Sequence, residues 1–160
     1  MALARAFARL TLPIAFVLGI ILTTAVPVAA GGATEYEQVL QTAKSKLGAN
    51  WVHYARGPNV FDCVGFVWYN YKVNDLQDRI GGYRGVGGYL NWFKERGLVS
   101  TTNPRLGDLI IWGANKHIGM YIGDGKAISA MSQPYGVKIH PVKGYLNVKF
   151  KAYLHVNIER

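Results

Sequence analysis

The sequence predicts an α+β domain, with N-terminal helices packed on one face of a five- to six-stranded antiparallel sheet. Three observations predict it. Between residues 36 and 96, apolar residues recur at helical spacing and the runs end at glycine. Between residues 108 and 156, the chain breaks into short β-rich runs separated by Gly, Asn or Pro. The two characters follow one another instead of alternating, which segregates helices from sheet. A length of 160 residues, half of them hydrophobic and 17% charged, suits one domain with a packed core.

The elements follow in order. Thr34 with Glu37 reads as a capping box, and Val39, Leu40, Ala43 and Leu47 continue a helix that Gly48 ends. Asn50 to Val60 reads as a loop rich in aromatic and turn residues. A second helix spans Val64 to Tyr71. Asn74 to Gly88 reads as an irregular surface segment. A third helix runs from Gly88 to Arg96 and stops at Gly97, with Tyr89, Leu90 and Phe93 at core spacing. Five strands are expected after Pro104: Asp108 to Trp112, His117 to Ile122, Lys126 to Ala130, Val137 to His140 and Val148 to Val156. Gly123-Asp124-Gly125 is a tight hairpin connection within this meander.

The first thirty residues differ from the rest. Arg5 and Arg9 form a basic start, Leu10 to Val26 is apolar, and Val28-Ala29-Ala30 is a small-residue exit. This reads as a secretory signal over residues 1–30, cut after Ala30; the alternative is an uncleaved anchor, because the apolar run approaches bilayer length. Residues 31–35 form a short linker to a domain over 36–160 that works outside the cytoplasm. The formal charge is +9, and removal of Arg5 and Arg9 leaves 16 basic and 9 acidic residues, still +7. The basic residues are scattered without a block. That pattern leaves nucleic acid, anionic lipid and an anionic cell wall as polyanionic partners; of these the cell envelope is the expected one and nucleic acid is not.

Cys63 is the only cysteine. An exported domain built on disulfides would carry cysteines in pairs. A lone thiol in an oxidising space is either deeply buried or used. Cys63 lies just before a helix, where unpaired N–H groups and the helix dipole favour the thiolate. A cysteine nucleophile needs a base. His117 opens a strand, from which it can reach a helix tip docked on the sheet, and Gly119 allows close backbone packing there.

Three segments carry a family resemblance: Phe61-Asp62-Cys63-Val64-Gly65-Phe66-Val67, Leu106-Gly107-Asp108-Leu109-Ile110-Ile111-Trp112, and His117-Ile118-Gly119-Met120-Tyr121-Ile122-Gly123-Asp124-Gly125. In this order they resemble the NlpC-type cell-wall cysteine peptidases, over about residues 36–156. The resemblance implies a papain-like core and hydrolysis of amide bonds in peptidoglycan stem peptides, typically next to D-glutamate. By position it implies Cys63 as nucleophile, His117 as general base and acid, and the Cys63 N–H as an oxyanion donor. The family's third polar residue falls twelve positions after the histidine; here it is Ser129, where His, Asn or Gln is usual. A serine hydroxyl is short, so contact through water is expected. His140 is the alternative orienter, although a strand-end surface position is the expectation for it. Val64 stands where the family usually has Ser. The family's tyrosine ahead of the cysteine aligns with Trp51, with Tyr54 a few residues on.

Trp51, Tyr54 and Asp62 complete the expected oxyanion and substrate-binding set. Asp62 also suits a helix cap, and its charge opposes thiolate formation. Trp112 joins Trp51 and Tyr54 as an expected groove lining. Asp108 reads as a turn stabiliser. No His, Cys and acidic set has metal-ligand spacing, so neither a metal nor another cofactor is expected. Two other readings stand beside the peptidase: a catalytically impaired cell-wall binding module on the same fold, and a Cys–His amidase or acyltransferase.

Overall fold

The computed structural model describes residues 32–145 and 147–160. The expected signal segment, residues 1–30, lies outside the described residues. Among the described residues, no helix is long and apolar enough to cross a membrane.

Helix α1 is Glu35–Lys44, and Thr34 and Glu37 cap its start reciprocally. A parallel pair follows, β1 (Asn50–Trp51) with β2 (Val60–Phe61). Helix α2 is Cys63–Lys72, a 3-10 turn spans Gln77–Ile80, and helix α3 is Val86–Lys94. Six strands form the main sheet: β3 (Val99–Ser100), β4 (Leu109–Trp112), β5 (His117–Gly123), β6 (Lys126–Met131), β7 (Gly136–Pro141) and β8 (Phe150–Leu154). Their order is β3-β8-β4-β5-β6-β7, with antiparallel pairing throughout. The β5–β6 hairpin turns through Asp124 and Gly125, at φ 49° and 67°, the left-handed pair that a two-residue connection requires.

The strand pattern explains how the sheet is covered. All four residues of β4 are buried. Leu109 and Ile111 enter the main core with Val39, Phe66, Tyr71, Phe93 and Ile118. Ile110 and Trp112 enter a second cluster with Ala127, Val142 and Tyr153. Helix α2 lies against β5 and β6, so its N-terminus is carried to the sheet rim. Gly65 permits this docking: a Cβ there would sit 2.0 Å from the Ala55 carbonyl oxygen. The outer edge of β7 is not left open. Val137 exchanges backbone hydrogen bonds with Gly48 and Ala49, both at 2.9 Å.

Several expectations need correction. The aromatic loop contains the β1–β2 pair. The segment after α2 is not purely surface, because Ile80 is fully buried. The last strand does not extend the meander; β8 returns to pair with β4, and the short β3 adds beyond it. Helix α3 begins two residues earlier than its glycines suggested. Asp108 does more than stabilise a turn. Its fully buried carboxylate accepts from the Arg105 N–H at 2.7 Å and the Val156 N–H at 3.0 Å. It also meets His155 Nδ1 at 2.6 Å and the Arg160 guanidinium at 3.4 Å. This carboxylate ties the C-terminal tail to the start of β4.

Candidate active site

Cys63 is the first residue of α2, and Asp62 is its N-cap. The Asp62 carboxylate accepts the Gly65 N–H at 2.6 Å, so it is turned into the helix and is absent from the lining of the cleft at the helix tip. That cleft is lined by Cys63 and His117 together with Trp51, Lys116, Met131, Ser132, Tyr135, Tyr145, Asn147 and Val148. The backbone N–H groups of Ile118 on β5, and of Cys63 and Val64 at the helix tip, act on the Cys63 sulfur to favour its charged form. The helix tip and the first residues of β5 thus converge on one sulfur.

His117 faces away from the helices, on the side of β5 shared with Trp112, its direct cross-strand partner. Its Nε2 lies 2.9 Å from Ser129 Oγ on β6. Contact is direct, not through water as expected, because Gly119 intervenes. A Cβ at Gly119 would fall 2.8 Å from Ser129 Cβ, 2.9 Å from the Ile128 oxygen and 3.2 Å from Trp112 Cζ3. Its absence lets the serine come up to the imidazole. Ser129 Oγ also lies 2.8 Å from His140 Nε2, and His140 Nδ1 is 2.9 Å from the Pro141 carbonyl oxygen. His140 is only 2% exposed. The expectation of a surface histidine fails because the β6–β7 register puts its side chain on Ser129's face. The turn at Ser132–Tyr135 closes the β6–β7 hairpin in that register.

Trp112 does not line the groove. It is fully buried, with its ring 5.4 Å from His117 and 5.6 Å from His140. Its indole N–H donates to the Val142 carbonyl at 2.8 Å. It is the apolar floor beneath the polar row. Trp51 reaches the cleft, and its carbonyl accepts from Gln133 Nε2 at 2.9 Å. Tyr54 does not reach it. That residue is 74% exposed, at φ 62°, and stacks on His53 with centroids 3.8 Å apart. Tyr135 and Tyr145 line the cleft instead; Tyr145 stacks on the His140 ring at 5.3 Å. Nothing in the local sequence marked these two tyrosines, which arrive from the turns flanking β7.

The electrostatics differ from the thiolate expectation. Burial, and then the Asp62 carboxylate, push the Cys63 thiol up; the three backbone N–H groups pull it back only in part. Burial, with His140 nearby, takes His117 down to about 4 from 6.5. Both residues therefore favour their neutral forms at rest. Among the described residues, no group of three or more His, Cys, Asp or Glu side chains is placed to hold a metal ion.

Comparison with known proteins gives consistent relatives. The "Probable endopeptidase p60" of Listeria grayi is 31% identical over 115 residues, which cover 70% of this chain and 21% of that protein. The chain thus spans about a fifth of that relative's length. The structure of NlpC2 from Trichomonas vaginalis is 26% identical with a TM-score of 0.63, over 80% of this chain and 49% of that one. The NlpC/p60 domain of the peptidoglycan hydrolase SagA shares the fold at 24% identity, with a TM-score of 0.60, over 76% of this chain and 98% of that domain. The match to the family itself runs over residues 48–155, from the end of α1 to the last strand, and takes in the whole cleft. By that match this chain belongs to the NlpC/P60 family.

Proposed function

We propose that this domain is an exported cysteine peptidase that hydrolyses amide bonds in peptidoglycan stem peptides, of the D-glutamyl endopeptidase type. The observation that carries the reading is the shared cleft, which both Cys63 and His117 line, with His117 bonded to Ser129. The relatives' names supply the substrate class. The p60 protein is named an endopeptidase and SagA a peptidoglycan hydrolase. The +7 balance of residues 31–160 suits an anionic wall, and export rests on the character of residues 1–30.

The chemistry follows from the neutral resting pair. With Nε2 engaged by Ser129, Nδ1 is the ring nitrogen left for the thiol. As Sγ attacks the amide carbon, the thiol proton passes to Nδ1 and the carbonyl electrons move onto oxygen. The Cys63 N–H at the helix tip is a donor for that oxyanion, and Trp51 lines the same cleft. The imidazolium then gives its proton to the leaving amine as the C–N bond breaks. Water attacks the resulting thioester, His117 takes a proton from it, and that proton returns to sulfur as the acid departs. Ser129 orients the ring. Its 2.9 Å contact favours this reading over the impaired binding module, for which serine at the third polar position is the ground.

Digestion of purified peptidoglycan, with mass spectrometry of the fragments, tests the proposal. Wild type should release fragments cut after D-glutamate, and Cys63→Ala should release none. Identical fragments from both proteins, or none from either, sink the proposal.

A further inference from the structure

We propose that His140 is a positioning residue that acts through Ser129 to fix the proton of His117 on Nε2, leaving Nδ1 free to accept the thiol proton. The inference rests on the peptidase reading only for the use of that proton; the tautomer itself follows from the hydrogen bonds.

The direction of the chain is set at its far end. The Pro141 carbonyl can only accept, so His140 Nδ1, 2.9 Å away, must carry a hydrogen and donate it. In a neutral ring, His140 Nε2 is then a bare acceptor. Ser129 Oγ lies 2.8 Å from it and has one hydrogen to give. Once that hydrogen is directed at His140, Ser129 faces His117 with lone pairs alone. His117 Nε2, 2.9 Å from the same oxygen, must therefore be the N–H. Nδ1 becomes the unprotonated nitrogen. A backbone carbonyl two strands away from β5 thus decides which nitrogen of His117 is the base.

The surroundings keep the chain running this way. Ser129 and His140 are both buried, so water does not compete for the serine hydroxyl. The titratable groups facing His140 are His117, across Ser129 from β5, and the stacked Tyr145 phenol, from the segment after β7. Trp112 from β4, and Ser129 and Ala127 from β6, are uncharged. On its own strand, Lys138 is turned over the Tyr135 ring. Burial lowers the His140 pKa and keeps the ring neutral. A protonated His140 would donate to Ser129 instead. The serine hydroxyl would then be free to donate to His117 Nε2, which moves the His117 proton to Nδ1 and removes the base. No other described contact on His117 imposes a tautomer.

Long-range 1H–15N NMR of 15N-histidine-labelled protein at pH 7 reads the tautomer directly. Wild type, Ser129→Ala, His140→Phe and Cys63→Ala are compared, with backbone amide spectra to show that each is folded. In wild type and in Cys63→Ala, His117 should be Nε2–H alone. In Ser129→Ala and His140→Phe it should become a mixture, and peptidoglycan digestion should slow by about 10- to 100-fold, a partial loss of the roughly 10²–10⁴-fold that a general base contributes. An Nδ1–H His117 in wild type, or a pure Nε2–H ring in folded Ser129→Ala or folded His140→Phe, overturns the proposal. The first two spectra do not depend on peptidoglycan. A wild type that cuts nothing refutes the peptidase reading, and leaves the tautomer result to decide the relay.

Discussion

Gly119→Ala tests how closely the site is built into the sheet. In most strands this change is neutral or helpful, because alanine restricts the unfolded chain by about 0.4–1 kcal/mol. Here the new methyl carbon would stand 2.8 Å from Ser129 Cβ and 2.9 Å from the Ile128 oxygen. Both atoms belong to β6 and are held by its pairing with β5 and β7. Ordinary contact begins near 3.4 Å, so Ser129 must retreat by about 0.6 Å, and strain of this kind typically costs about 1–3 kcal/mol. A retreat of that size along the line to His117 stretches the 2.9 Å contact to about 3.5 Å, past the useful range of a hydrogen bond. The expected net loss is about 1–2 kcal/mol of stability, a fall in Tm of about 3–8 °C for a domain of this size. Peptidoglycan digestion should fall about tenfold with little change in KM. Circular-dichroism melts and initial digestion rates measure the two effects. A variant with wild-type Tm and wild-type rate would refute the argument that an empty Cβ position brings Ser129 to His117.

Two further predictions follow from buried charge and from burial of the base. Asp108→Asn should lower stability by about 2–3 kcal/mol, since the carboxylate's contacts to Arg105, His155 and Arg160 lose their charge. Urea unfolding should show the shift while digestion well below Tm is unchanged, and an unmoved midpoint counts against a fold-locking role. For His117, the folded pKa of about 4 lies below the ordinary 6.5, so between those values the unfolded chain binds more protons. Stability from this group is full above pH 6.5 and is lost as pH falls towards 4, by up to about 3 kcal/mol. Melts at pH 4–7 should show a shallower pH slope for His117→Phe than for wild type. Equal slopes would mean that His117 is not held neutral by its burial.

The helices and the hairpin were legible because their signals are local. The Thr34–Glu37 box, the glycine after α1, and Asp124-Gly125 each satisfy a neighbour within four residues. The helix-tip position of Cys63 was legible for the same reason. The β1–β2 pair was not, because two-residue strands carry no periodicity and exist only through their partners. Nor was the return of β8 to β4, which depends on a strand-to-strand choice made across the whole sheet. Tyr54 was misplaced because its left-handed φ turns it outward onto His53.

What the chain determined by itself was the kind of domain, the lone thiol at a helix tip, and a histidine opening a strand, since each depends on short-range spacing and capping. The tertiary structure alone decided that Ser129 touches His117 directly, that His140 is buried behind it, and that burial disfavours the charged forms of thiol and imidazole. Those outcomes come from register, from the missing Cβ at Gly119 and from desolvation. Each is a property of what packs against a residue, and no spacing along the chain encodes it.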